Sequence, residues 1–154
     1  MNVHLDIMGL TEAEKDKMGY VEKVIQDLQD EDPKVRRKAV QILEVIENEK
    51  VIEPLKDALD DEDERVRGIA ARALGKIGND EVAEHLIDLL KDEHYFVRGC
   101  AADALGEIGA EEAVDHLVEV LNEDKVWVQD ETAKALIKIS HPTGITALEE
   151  WLRE

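Results

Sequence analysis

At 154 residues the chain is long enough for one domain with a real core, and its net charge of −19, from 38 acids against 19 bases, repels nucleic-acid phosphates and anionic lipid surfaces. The 44% hydrophobic content is too high for a disordered chain, and no segment approaches the ~20 apolar residues needed to cross a bilayer. The single cysteine, Cys100, cannot form an intrachain disulfide. A cytoplasmic protein that binds neither membrane nor nucleic acid is the expectation.

In chain order, residues 1–19 read as an N-terminal segment. Thr11 and Glu14 make a capping box for a short helix to Met18, and Leu5, Ile7, Met8 and Leu10 are placed to pack on Val21 and Ile25. A helix follows, with Val21, Val24, Ile25 and Leu28 on one stripe, and then a second, with Val35, Ala39, Ile42, Leu43 and Ile46 at helical spacing. The acidic turn Asp30-Glu31-Asp32 supplies an N-cap, and Pro33 suits the first turn.

This two-helix pattern recurs with a period of 31 residues. Val35, Val66, Val97 and Val128 are in register, as are Leu43, Leu74, Leu105 and Leu136, and Ile46, Ile77, Ile108 and Ile139. The first helices keep step through Leu28, Leu59, Leu90, Leu121 and Leu152. Further N-caps are expected from Asp61-Glu62-Asp63 and Asp92-Glu93, and left-handed C-caps from Gly78 and Gly109. The repeat domain spans 20–154, divided 20–48, 49–79, 80–110 and 111–141. A half repeat, 142–154, follows the His141-Pro142 break and covers the end of the stack. A two-helix unit cannot bury its apolar stripe alone, so the units must stack into an elongated all-α solenoid.

The strings Val66 to Gly78 and Val97 to Gly109 share the pattern V-R-x-x-A-A-x-A-L-G-x-I-G. In this they resemble HEAT repeats of the phycobilisome-lyase type, and the likeness runs from about Tyr20 to Leu152. The resemblance implies a right-handed α-α superhelix of the HEAT/armadillo kind. It implies function only broadly, because the family includes bilin lyase subunits, an iron-dependent hydroxylase and many small proteins whose partners are unknown, and engineered binding libraries have been built on a similar repeat. The hydroxylase members carry His-Glu pairs after the valine and arginine. Here those places hold Arg37-Lys38, Gly68-Ile69, Gly99-Cys100 and Asp130-Glu131, so the iron site is absent and neither metal nor cofactor is expected.

Opposite the core stripe of the second helices lie positions 34, 37, 38, 41 and 45 and their equivalents in the next three repeats, a row that lines the concave surface in the resembled family. Over four repeats these places hold eight bases and four acids, against the strongly negative remainder. Lys34, Arg37, Lys38, Arg65, Arg72 and Lys76 make one end basic, while Tyr95, Phe96 and Trp127 make the other aromatic. Ile69, Cys100 and Lys134 complete the candidate surface. Aromatic and arginine side chains are enriched in binding hot spots, so the expectation is an interaction module for a protein or peptide that is acidic with an apolar anchor. Phe96 and Trp127, one period apart, should stand about 10 Å from each other on adjacent helices. The competing reading is that the rings fold down over the turns and the cations are solvated surface.

Other features read as structural. Arg36, Arg67 and Arg98 recur beside acids and should reach carboxylates in neighbouring turns. Gly75 and Gly106 lie inside helices, which calls for close packing. His85 and His116 form no recognisable ligand set, and Cys100 has no histidine at helical spacing to activate it. No catalytic group is expected; a bilin-lyase-like enzyme or enzyme subunit is the alternative, and the family resemblance alone supports it.

Overall fold

The computed structural model describes residues 19–46, 48–123 and 125–154, together with Thr11 and Ala13. The capping box of Thr11 with Glu14 and the packing of Leu5, Ile7, Met8 and Leu10 fall outside the described residues. Among those described there are nine α-helices and no strand: α1 (Tyr20–Asp27), α2 (Pro33–Glu44), α3 (Ile52–Ala58), α4 (Glu64–Ile77), α5 (Ala83–Leu89), α6 (Tyr95–Ile108), α7 (Val114–Glu123), α8 (Val126–Ile139) and α9 (Pro142–Trp151). Short 3₁₀ turns, Glu49–Val51, Asp80–Val82 and Glu111–Ala113, lead into α3, α5 and α7.

The helices form two layers. Second helices α2, α4, α6 and α8 pack on one another in succession, and each is backed by the first helix of its own repeat. Leu43, Leu74, Leu105 and Leu136 of the inner layer and Leu55, Leu86 and Leu117 of the outer layer are fully buried. Each such leucine contributes about 2–3 kcal/mol of apolar burial, which makes the array an α-α superhelix whose stability comes from neighbours. Helix α9 packs on α7 and α8; beyond it Leu152 is 75% exposed, whereas its counterparts Leu28, Leu59, Leu90 and Leu121 are buried.

The helix ends follow the local chemistry. Asp32 accepts from the Lys34 amide at 2.8 Å, with Pro33 at the first helical position, and Asp63 accepts from the amides of Arg65 and Val66 at 3.0 and 3.2 Å. The third cap differs from expectation. There His94 Nδ1 accepts from the Phe96 amide at 3.2 Å, and Asp92 instead takes the His94 amide at 2.9 Å, as Asp30 takes that of Asp32 and Asp61 that of Asp63. Gly78 and Gly109 end α4 and α6 with φ of 76° and 68°. Ser140, with φ of 56°, fills that place after α8.

Two repeat columns decide how closely successive inner helices approach. One reads Arg37, Gly68, Gly99, Asp130 and the other Glu44, Gly75, Gly106, Ile137. A β-carbon on Gly75 would lie 2.6 Å from Ala104 Cα, and one on Gly106 would lie 2.7 Å from Ala135 Cα, so backbone meets backbone in the α4–α6 and α6–α8 seams. In the α2–α4 seam the same columns carry Arg37 and Glu44, and ion pairs bridge the gap.

Candidate interaction face

One position per repeat, Lys34, Arg65, Phe96 and Trp127, sits in the first turn of each inner helix. Capping by Asp32, Asp63 and His94 fixes that turn in the first three repeats. The four side chains therefore form a row along one edge of the inner layer.

At the aromatic end each ring lies over the glycine of the preceding repeat. Phe96 Cε1 is 2.5 Å from where a β-carbon of Gly68 would be, and Trp127 Cζ3 is 2.2 Å from that of Gly99. The two rings stack with centroids 6.1 Å apart and planes 10° from parallel. They are closer than helix spacing alone predicts, because the glycines let both lie flat in the seams. Tyr95 meets Trp127 edge-on at 6.2 Å and stacks on His94 at 5.0 Å, while Lys125 Nζ sits 5.8 Å over the Tyr95 ring. Phe96 is half-buried. Trp127 and Tyr95 remain 40% and 42% exposed, and Val126 beside them is 72% exposed.

Ile69 and Cys100 do not belong to the accessible surface: they are only 6% and 3% exposed. Cys100 faces back toward the preceding inner helix, its Sγ 3.3 Å from the β-carbon site of Gly68, and Ile69 holds the equivalent place one repeat earlier. Burial pushes the Cys100 thiol up to about 12, and nearby Arg72 offsets this only in part. The thiol is therefore protonated and is no nucleophile.

Several of the candidate cations are already paired. Arg37 Nε donates to both Asp63 oxygens at 2.9 and 3.0 Å, and its Nη2 also contacts that carboxylate. Arg72 and Lys76 both grip Glu44, at 2.7 Å each. Burial alone would raise the Glu44 carboxyl, but these hydrogen bonds hold it below the usual range. The Arg37 hydrogen bonds lower Asp63 against its own desolvation. Lys134 pairs with Glu131 at 2.8 Å, and Lys138 bridges Glu107 and Asp103. Burial, with Glu131 and Glu107 close by, leaves Asp103 above the ordinary carboxylate value. Lys34, Lys38 and Arg65 are exposed and make no ion pair among the described residues.

The recurrent arginines lie away from this row. Arg36 spans from the carbonyls of Asp30 and Glu31 to the carboxylates of Asp61 and Glu62, and Arg67 from the carbonyls of Asp61 and Glu62 to Asp92. Arg98 repeats the first half of the motif, donating to the carbonyls of Asp92 and Glu93. Among the described residues no group of three or more His, Cys, Asp or Glu side chains is arranged to hold a metal ion, and no helix is long and apolar enough to cross a membrane.

Stacked helix pairs with a continuous inner layer define an α-solenoid repeat protein. The family model for HEAT repeats matches residues 21–99 and 84–154, and the chain belongs to the HEAT repeat family. Among solved structures it is similar to the complex of CpcE and CpcF of phycocyanin lyase from Nostoc sp. PCC7120, with a TM-score of 0.70 and 24% identity over 87% of this chain. It spans 65% of that chain's length. An engineered protein, OR366, is 28% identical with a TM-score of 0.61, over 85% of this chain and 69% of that one. A designed armadillo repeat protein in complex with the peptide (KR)4 is 22% identical with a TM-score of 0.66, over 90% of this chain and 76% of that one. No curated protein matches the chain in sequence.

Proposed function

We propose that this chain is a non-catalytic interaction module that binds a protein or peptide on the face formed by its second helices. The observation that carries the reading is the ring cluster: Trp127 and Tyr95 stand substantially exposed in a chain with only 3% aromatic residues, Trp127 held by its stack on Phe96 and its seat over Gly99 and Tyr95 by its contacts with Trp127 and His94. Rigid aromatic side chains with one face free are typical anchors of protein interfaces. The fold supports this use, since a neighbour of the same architecture is a designed armadillo protein holding a peptide. The unpaired Lys34, Lys38 and Arg65 near the row favour an acidic partner with an apolar anchor. The test is a pull-down from native lysate with the wild type and with a Phe96→Ala/Trp127→Ala variant shown by circular dichroism to be folded. Loss of specific partners is expected, and an unchanged partner set rejects this face.

A role as a bilin-lyase-like subunit is the second reading, supported by the sequence resemblance of the repeats and by likeness in fold to a phycocyanin lyase chain. The buried, protonated Cys100 gives it no thiolate to work with. A stoichiometric shift in bilin absorbance on mixing with the purified protein would revive it.

A further inference from the structure

Resting on the reading above, we propose that the ligand is an extended acidic segment laid along the first turns of the inner helices, with its apolar anchor on Tyr95 and Trp127 and carboxylates facing Arg65 and Lys34.

The ion pairs select this track from the rest of the face. Down the middle of the inner helices the cations are taken: Arg72 and Lys76 by Glu44, Arg37 by Asp63, Lys138 by Glu107. The exposed cations without an ion pair in the first two repeats of the face are Lys34, Lys38 and Arg65. Two of these occupy the second residue of α2 and of α4, where the helix dipole disfavours positive charge and an acid is the stabilising choice. In a chain with twice as many acids as bases, cations at two such places oppose the local preference and do no work within the fold. Their backbone amides are already capped by Asp32 and Asp63, so the side chains are what they offer a partner. In the next two repeats the same position carries Phe96 and Trp127, with Val126 widening the apolar patch.

The order along the row sets a register. Inner helices ~9 Å apart place Arg65 ~18 Å and Lys34 ~27 Å from Trp127. An extended chain advances ~3.3 Å per residue, so the acids belong about six and about eight residues from the anchor.

Three labelled synthetic peptides test this, each made in both chain directions. The first has one tryptophan and two glutamates about six and about eight residues away, with Gly and Ser elsewhere. The second has the same composition with both glutamates next to the tryptophan. The third is the first with lysines for glutamates. The expectation, from two exposed ion pairs, is that the spaced acidic peptide binds roughly three- to tenfold tighter than its compact isomer. The Lys34→Gln/Arg65→Gln variant should abolish that advantage and leave the compact peptide unaffected; both residues are exposed, so folding is not at risk. Equal affinities for the spaced and compact isomers would overturn the register while the face stands. Tighter binding of the lysine peptide would overturn the charge assignment. If no peptide binds, or if Trp127→Ala leaves binding unaltered in a folded protein, the face itself falls and the register with it.

Discussion

The Phe96 ring occupies the space that a side chain on Gly68 would need, its Cε1 lying 2.5 Å from the β-carbon site. Trp127 stands in the same relation to Gly99. Each ring is therefore both an inter-repeat contact and a partly exposed surface feature, so folding down over the preceding repeat does not remove it from the surface.

The glycines divide into two kinds, and alanine substitution should tell them apart. At Gly99 the obstruction is a partly exposed side chain that can swing outward. Gly99→Ala is therefore expected to leave the thermal midpoint nearly unchanged while displacing Trp127, seen as a red shift of its fluorescence. At Gly75 the obstruction is the Ala104 backbone at 2.6 Å, which can yield only by separating α4 from α6. Overpacking against a backbone that cannot move aside costs about 2–3 kcal/mol, the upper part of the usual range, and the gain in helix propensity returns about 1 kcal/mol, so Gly75→Ala should lower stability by about 1–2 kcal/mol in urea unfolding. Equal effects at the two sites would show that the seams are softer than their geometry implies.

The first seam should be the acid-labile one. Glu44 and Asp63 bridge α2 to α4 with carboxyl groups held below their usual values. Such groups stabilise the fold above the unfolded carboxylate value of about 4, and that stabilisation is lost as pH falls through their lower folded values. Asp103 works in the opposite sense. Its folded value is raised, so protonating it favours the native state. Thermal midpoints should hold or rise as pH falls from neutral toward the ordinary carboxylate value of about 4, as Asp103 takes up its proton ahead of the unfolded chain and net repulsion falls, and then drop at lower pH. Glu44→Gln should flatten the acid limb and Asp103→Asn should remove the rise. Amide exchange at low pH is expected to speed up in α1 and α2 before α6 and α8.

Much of this architecture was legible because each repeat reports on the others. Register alone placed the leucine core, the glycine caps at residues 78 and 109, and the close approach at Gly75 and Gly106. Reading one helix at a time failed at the seams. A helical wheel referenced to a helix's own repeat puts Ile69 and Cys100 on the open side, yet both are buried, Cys100 in the seam with the preceding inner helix beside Gly68. The pairing of Arg72 and Lys76 with Glu44 was missed for the same reason. Its signal lay in the repeat columns, where Arg37 and Glu44 replace the glycines of the second and third repeats: a charge in a column of close contact must meet an opposite charge from the facing helix. The acidic turn points to Asp92 as the cap, two residues too early for the helix that begins at Tyr95, and a histidine in the cap place carries no such signal.

Cys100 gives a direct reading of whether the α4–α6 seam breathes. With the thiol buried and raised to about 12, thiolate is negligible at pH 8. A thiol reagent should leave the native protein unlabelled for hours and react fully in denaturant. Gly75→Ala, by wedging the seam, should speed the native reaction in proportion to its loss of stability. Rapid labelling of the wild type would place Cys100 on the accessible face after all.

Arg67 shows why the recurrent arginine is an arginine. Its guanidinium donates through Nε and Nη2 to the two Asp92 oxygens at 2.9 and 3.0 Å, and through Nη1 to the carbonyls of Asp61 and Glu62 at 2.8 and 3.2 Å. One planar group thus ties the loop of the second repeat to that of the third with little exposure of either partner. A lysine keeps the charge but has neither the reach nor the fork to satisfy a carboxylate and two carbonyls together. Arg67→Lys should therefore cost almost as much as Arg67→Met, about 2–4 kcal/mol, since either change strands the half-buried Asp92. Adding Asp92→Asn to Arg67→Met should recover part of the loss. If Arg67→Lys unfolds in urea like the wild type, charge alone suffices and the two-loop clamp is not what the position requires.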